Sequence, residues 1–229
     1  SAASDVYKRQ TQRQTLDEEA RPIWGRFFAP DTEIFIVFGS PIFFSGPEGS
    51  GLFLRLASLN ETANLIDDPN LQMLKKRFGA LSGPRYDYAL MGDAIALQRL
   101  TAYLCKINQR LTALPAHLAR WEVIGEGNIV ILGTPRMLPL LNKLPVHRDF
   151  VWDANHNIVN RNPQPNESAT YVTQYHYDKM SYALIGHFPG LQPDREILSL
   201  TAHSAPGILA VVDYVTRREG LRAMNERLQ

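Results

Sequence analysis

A chain of 229 residues, 45% hydrophobic and 21% charged, is long enough to bury a core without disulfides or a structural metal. Its 24 basic and 23 acidic side chains leave a formal charge of +1. That balance argues against a general nucleic-acid binder, which needs clustered Lys and Arg to displace counterions from phosphate. The single cysteine, Cys105, excludes an intrachain disulfide framework and any multi-cysteine metal centre, and no run approaches the ~20 continuous apolar residues of a membrane span.

Residues 1–10, from Ser1 to Gln10, resemble the in-frame translation of a sequencing adapter, so the protein proper is expected to start near Thr11 as a metagenomic fragment of a longer chain. Residues 11–29 read as a linker or short helix ending in the aromatic Trp24-Gly25-Arg26-Phe27-Phe28. From residue 30 to 229 the pattern is that of one α/β domain. Glu33 to Phe38 is a continuous β-branched and aromatic run stopped by Gly39-Ser40-Pro41, as in a strand buried on both faces. A glycine-rich turn, Ser45 to Gly51, precedes a candidate strand at Leu52–Leu56. Asp68 and Pro69 suit the cap and first position of a helix ending at Gly79.

Gly92-Asp93 predicts a helix capped by Asp93 that carries Ile95, Leu97, Leu100, Leu104, Ile107 and Leu111 and is closed by Pro115. Cys105 falls in this apolar run and reads as a buried small hydrophobe. Asn128 to Leu132 is a second buried strand, followed by Gly133-Thr134-Pro135 and a helix from Arg136 to Leu144. Residues 145–180, rich in Asn, Pro and His, read as an irregular β-ribbon. Two further strands follow, Tyr182–Gly186 and Glu196–Thr201, then helices at Ile208–Arg217 and Leu221–Leu228. Strands alternating with helices predict an α/β, Rossmann-like, mostly parallel sheet with helices on both faces and a small β-ribbon extension.

Several strands end alike, in small residues that start a helix: Gly39-Ser40, Gly133-Thr134-Pro135-Arg136 and Ala202-His203-Ser204, with Gly92-Asp93 as a fourth. In an open α/β sheet such turns converge at the carboxyl ends of the strands, where helix N-termini suit an anion. The same residue types also serve plain helix capping. The expected ligand-binding residues are Gly39, Ser40, Gly92, Asp93, Gly133, Thr134, Arg136, His203 and Ser204, around a small polar or anionic molecule. No phosphate-loop, dinucleotide or nucleophile-elbow motif occurs, no histidine has metal-ligand spacing, and no cofactor or metal is expected. Two other readings stand beside this one. The first is a hydrolase or transferase using Asp93 and His203 as acid and base. The second is a partner-binding domain presenting the aromatic N-terminal segment, or Tyr171, Tyr175, Tyr177 and Tyr182 around His176.

Trp24–Phe28, Gly92-Asp93-Ala94, Asn128–Pro135 and Tyr182–Ile185 through Phe188-Pro189-Gly190 together resemble a C-terminal α/β module of uncharacterised bacterial proteins. The resemblance spans residues 20 to 217. It implies a sensory module attached to a larger regulator with a winged helix, or to a membrane-anchored parent that would place it outside the cytoplasm. It carries no activity over to this chain. The turn after Leu200 lacks a second glycine that the resemblance would lead one to expect.

Overall fold

The computed structural model describes residues 18–56, 69–108, 110–144, 146–173 and 180–228. Its centre is a five-stranded sheet in the order β10-β11-β6-β1-β5, made of β1 (Ile34–Phe38), β5 (Leu111–Pro115), β6 (Asn128–Gly133), β10 (Ala183–Pro189) and β11 (Glu196–Ala202). β5, β1, β6 and β11 run parallel, while β10 is an antiparallel edge. Register places Phe38 beside both Pro115 and Leu132, and Thr201 beside Gly133, so four neighbouring strands end level. β6 is buried along its whole length, as a central strand covered on both faces must be.

Alternation along these strands divides the core in two. Ile34, Ile36, Val130, Leu132, Leu198 and Leu200 face a layer of four helices: α1 (residues 18–24), α3 (Met91–Leu104), α5 (Ala205–Thr216) and α6 (Arg218–Leu228). Phe35, Val37, Ile129, Ile131 and Ile197 face the other way. That second face is closed by the four-residue α4 (Trp121–Ile124) and two 3-10 turns (Pro135–Met137 and Pro139–Lys143), with no long helix among the described residues. The fold is thus mixed α/β, with its long helices on one side.

Two small antiparallel sheets complete it. One is β3-β2-β4, from β2 (Ile42–Ser45), β3 (Phe53–Leu56) and β4 (Ser82–Arg85), with α2 (Pro69–Phe78) against it. The other is the expected ribbon, β7 (Phe150–Trp152), β8 (Ile158–Asn160) and β9 (Thr170–Tyr171). Tyr171 and Tyr182 meet edge-on at 5.5 Å, while Tyr175, His176, Tyr177 and Asp68 lie outside the described residues.

Four expectations are corrected. The helix around Gly92 begins at Met91 and ends at Leu104, and Leu111–Pro115 is the edge strand β5 instead of a last helical turn. Asn108 causes the break, its amide donating to the Ala29 and Thr32 carbonyls while its Oδ1 accepts from the Arg110 N–H. Cys105, just past the helix end, is exposed. Residues 136–144 form 3-10 turns because Pro139 lacks the N–H and obstructs the preceding turn that an α-helix would need.

The aromatic N-terminal segment is core: Trp24 and Phe27 are fully buried and pack at 5.2 Å, so neither offers an exposed contact surface. Trp24 Nε1 donates to the Val215 carbonyl at 2.6 Å, tying α1 to α5 across 191 positions of sequence. Trp24→Phe keeps most of the packing and orphans that carbonyl. The expected cost is about 2 kcal/mol, read as a lower denaturation midpoint at unchanged slope.

Candidate functional site

The carboxyl edge of the central sheet gathers most of the residues singled out from the sequence. Gly39 follows β1 and Gly133 ends β6, and the Gly39 N–H donates to the Leu132 carbonyl at 3.0 Å. A Cβ on Gly133 would lie 3.2 Å from that same nitrogen, and φ is +134° there, so the glycine is required by both space and backbone. Over this pair lies Asp93, with its Oδ2 2.9 Å from a Cβ built on Gly39 and 3.0 Å from one on Gly133.

Asp93 is not the cap of its helix. Leu90 holds that position and Asp93 is the third residue inside, with no cap hydrogen bond made at this end. Its side chain is 1% exposed and Oδ2 has no hydrogen-bond partner. Burial pushes its pKa up to about 6, against the usual carboxylate value near 4. A carboxyl sealed against two glycine turns has no path to a substrate in this conformation.

Gly92, next to it, packs against the first residue of α5, where a Cβ would come 2.4 Å from the Ala205 Cβ. The starts of α3 and α5 therefore meet above the ends of β6 and β11. Ser204 caps α5, its Oγ accepting from the Gly207 N–H at 3.2 Å and lying 3.1 Å from the Ser181 Oγ. Thr134 is buried before the first 3-10 turn without making a side-chain cap. Tyr88-Ala89-Leu90 leads into α3 directly and does not end a strand.

Arg136 and His203 meet electrostatically, and His156 joins them. His156, at the tip of the β7–β8 hairpin, stacks on His203 with centroids 4.5 Å apart and planes 19° from parallel. Asp153 builds that tip by accepting from the Asn157 backbone N–H and side-chain amide, and His156 adopts φ +64°. The His203 pKa is held below its ordinary value by burial, then by His156 and Arg136. That of His156 is lowered by burial and Arg136, with Asp153 opposing.

Ser40 turns elsewhere. Its Oγ is 3.0 Å from Nδ1 of His117, beyond the end of β5, and accepts the His117 N–H at 3.3 Å; that ring stacks on Tyr86 at 3.9 Å. Burial lowers the His117 pKa. Among the described residues no hydrogen bond or ion pair joins Asp93 to His203, and neither shifts the other's pKa.

A cavity lies beside this edge, on the face away from α3 and α5. It has a volume of about 600 Å³ and sits between β10, β11, the second 3-10 turn and the ribbon. None of the nine expected residues lines it. It is not legible in the sequence because its walls come from segments that only the ribbon's folding brings together.

Among the described residues, no group of three or more His, Cys, Asp and Glu is placed to hold a metal, and no helix is long and apolar enough to cross a membrane. The fold and edge define a mixed α/β protein with a mostly parallel sheet whose strand ends carry charged and hydroxyl side chains. No family model, no curated protein and no solved structure matches the chain.

Proposed function

We propose that this is a Rossmann-like ligand-binding or sensory module of a larger regulator, and that it holds a small anion at the carboxyl edge of its sheet. The parallel strands stand in the order second, first, third, fourth (β5-β1-β6-β11), and chain direction across the sheet reverses between β1 and β6. Ligands of open α/β sheets bind outside the carboxyl ends at such a switch point. The observation that carries the reading is the meeting of Arg136, His156 and His203, from three separate segments, at the N-terminal end of α5. Arg136 lowers the tendency of both histidines to carry charge, and His156 that of His203, so a bound anion favours their protonation. The positive pole of α5 adds to that field.

The sign of the pH dependence follows. Burial and Arg136 keep both histidines below their ordinary range, so at pH 7.5 they are mostly neutral; on acidification they gain charge facing the anion. Binding of inorganic phosphate or pyrophosphate should therefore tighten from pH 7.5 to 5.5. Arg136→Gln should weaken it about tenfold at both pH values, the size of one charge-assisted hydrogen bond. Calorimetric titration measures both effects. Ligand at about 100 times its dissociation constant should also raise the unfolding free energy by about 2.7 kcal/mol. If neither anion shifts the melting temperature at either pH, the proposal fails.

A further inference from the structure

The ribbon cavity is chemically unlike the edge cluster. β7 is pinned to the sheet where Trp152 Nε1 donates to the Thr201 Oγ1 at 3.0 Å. Side chains two apart on a strand share a face, so Phe150 and Trp152 are turned toward β11 together, with Arg148 just ahead of the strand. All three line the cavity, with Phe188 of β10 on the opposite wall.

The antiparallel register of β7 and β8 pairs Phe150 with Asn160. Continued outward, it brings Arg161 opposite Asp149, whose carbonyl accepts the Arg161 N–H at 2.7 Å. Arg148 and Arg161 both line the cavity, close enough for the charge of Arg161 to act on Arg148. Among the described residues neither has a carboxylate within ion-pair distance: Asp149, the acidic group in the lining, is engaged by His147 Nε2 at 3.1 Å. Arg148 is half-buried, and burial together with Arg161 holds its pKa below the usual guanidinium range. His187, the remaining titratable group of the wall, is occupied by Glu196 at 2.9 Å.

We propose that this cavity is a second binding site, for an organic anion with a flat apolar body. Its carboxylate, sulfonate or phosphate group sits against Arg148 and Arg161, and its body lies among Phe150, Trp152 and Phe188. Two guanidinium forks suit an oxyanion, and apolar walls with a few convergent polar groups are what small-molecule sites of this volume provide. Gly39, Arg136 and His203 do not line the cavity, so the site stands apart from the edge cluster.

The test uses a matched pair of fluorescent dyes: 1-anilinonaphthalene-8-sulfonate, and N-phenyl-1-naphthylamine, which has the same rings without the charge. The sulfonate should bind at one per chain and at least about tenfold more tightly than its neutral partner, the discrimination expected of charge-assisted bonds. Arg148→Gln and Arg161→Gln should each weaken the sulfonate by about tenfold and leave the neutral dye unchanged, which also reports an intact cavity. Arg161 is exposed, so its variant gives the same readout free of any packing role of Arg148. Arg136→Gln should leave both dyes unchanged. Equal affinities for the two dyes, indifference of the sulfonate to both arginine variants, or loss of it in Arg136→Gln would each overturn the proposal.

Discussion

Asp93→Asn should stabilise the protein at pH 7 by about 3 kcal/mol and leave it unchanged near pH 4. The carboxyl is 1% exposed, its Oδ2 lacks a partner, and burial lifts its pKa from 3.8 to about 6. A raised carboxyl pKa means that the folded state holds the proton more tightly than the unfolded chain. Below about pH 4 both states are protonated and the group costs nothing. Between about 4 and 6 the unfolded chain releases its proton first, so stability falls as pH rises, and above 6 the full penalty remains. Two pKa units and a fraction amount to about 3 kcal/mol, or roughly 6–12 °C in melting temperature for a domain of this size. Asparagine keeps the shape without the charge. The quantity to measure is the stability difference between variant and wild type from pH 4 to 8. A flat difference would show that the carboxylate is solvated or paired.

Why a chain should hold such a group is visible from its neighbours. Asp93 occupies the position where β1 and β6 end, above the two glycines whose backbones admit it. A buried acid with no donor breaks the rule that interior polar groups are satisfied, and such breaks are expected where stability is given up for function. The N-terminal end of α3 offsets part of the cost through its dipole. The stabilised Asn variant therefore provides a sharp comparison with phosphate binding. If the anion affinity survives, Asp93 shapes the crevice only through its volume.

How much of this was legible depends on how local each feature is. β1 and β6 were readable because strands buried on both faces are largely apolar runs, and the glycines at their ends mark where the backbone turns. β5 was hidden because Ile107 and Leu111 continue the helical spacing of α3, and only the tertiary bonds of Asn108 end the helix early. β4, Ser82-Gly83-Pro84-Arg85, is exposed throughout and carries no apolar alternation, as an edge strand can. The level strand ends followed from sheet logic, so Gly39, Gly133 and His203 were expected at one edge, and they are. What landed on that edge from elsewhere could not be read. His156 reaches His203 through the position of a hairpin tip, and Arg148 meets Arg161 through a register set by the whole ribbon. Asp93 read as a cap because acids near helix starts usually are; its burial depends on where α3 docks.

Gly92→Ala should destabilise by about 3 kcal/mol, the upper part of the overpacking range, although the same change inside a helix ordinarily stabilises by up to about 1 kcal/mol. The reversal of sign is what makes the variant informative. A Cβ at residue 92 would lie 2.4 Å from the Ala205 Cβ and 2.8 Å from its Cα, and the second atom is backbone that cannot rotate away. Relief requires α3 and α5 to separate at their N-terminal ends, where Asp93 is buried and Ser204 caps. Ala205→Gly in the same chain removes the nearer of the two clashing atoms and leaves the other. The double variant should accordingly recover about 1 kcal/mol of the loss, an interaction energy that sites without contact do not show. Chemical denaturation of the four proteins of this cycle measures it. A neutral or stabilising Gly92→Ala would mean that the two helix starts are not in contact, and the edge on which Arg136 and His203 meet would then be wider than described.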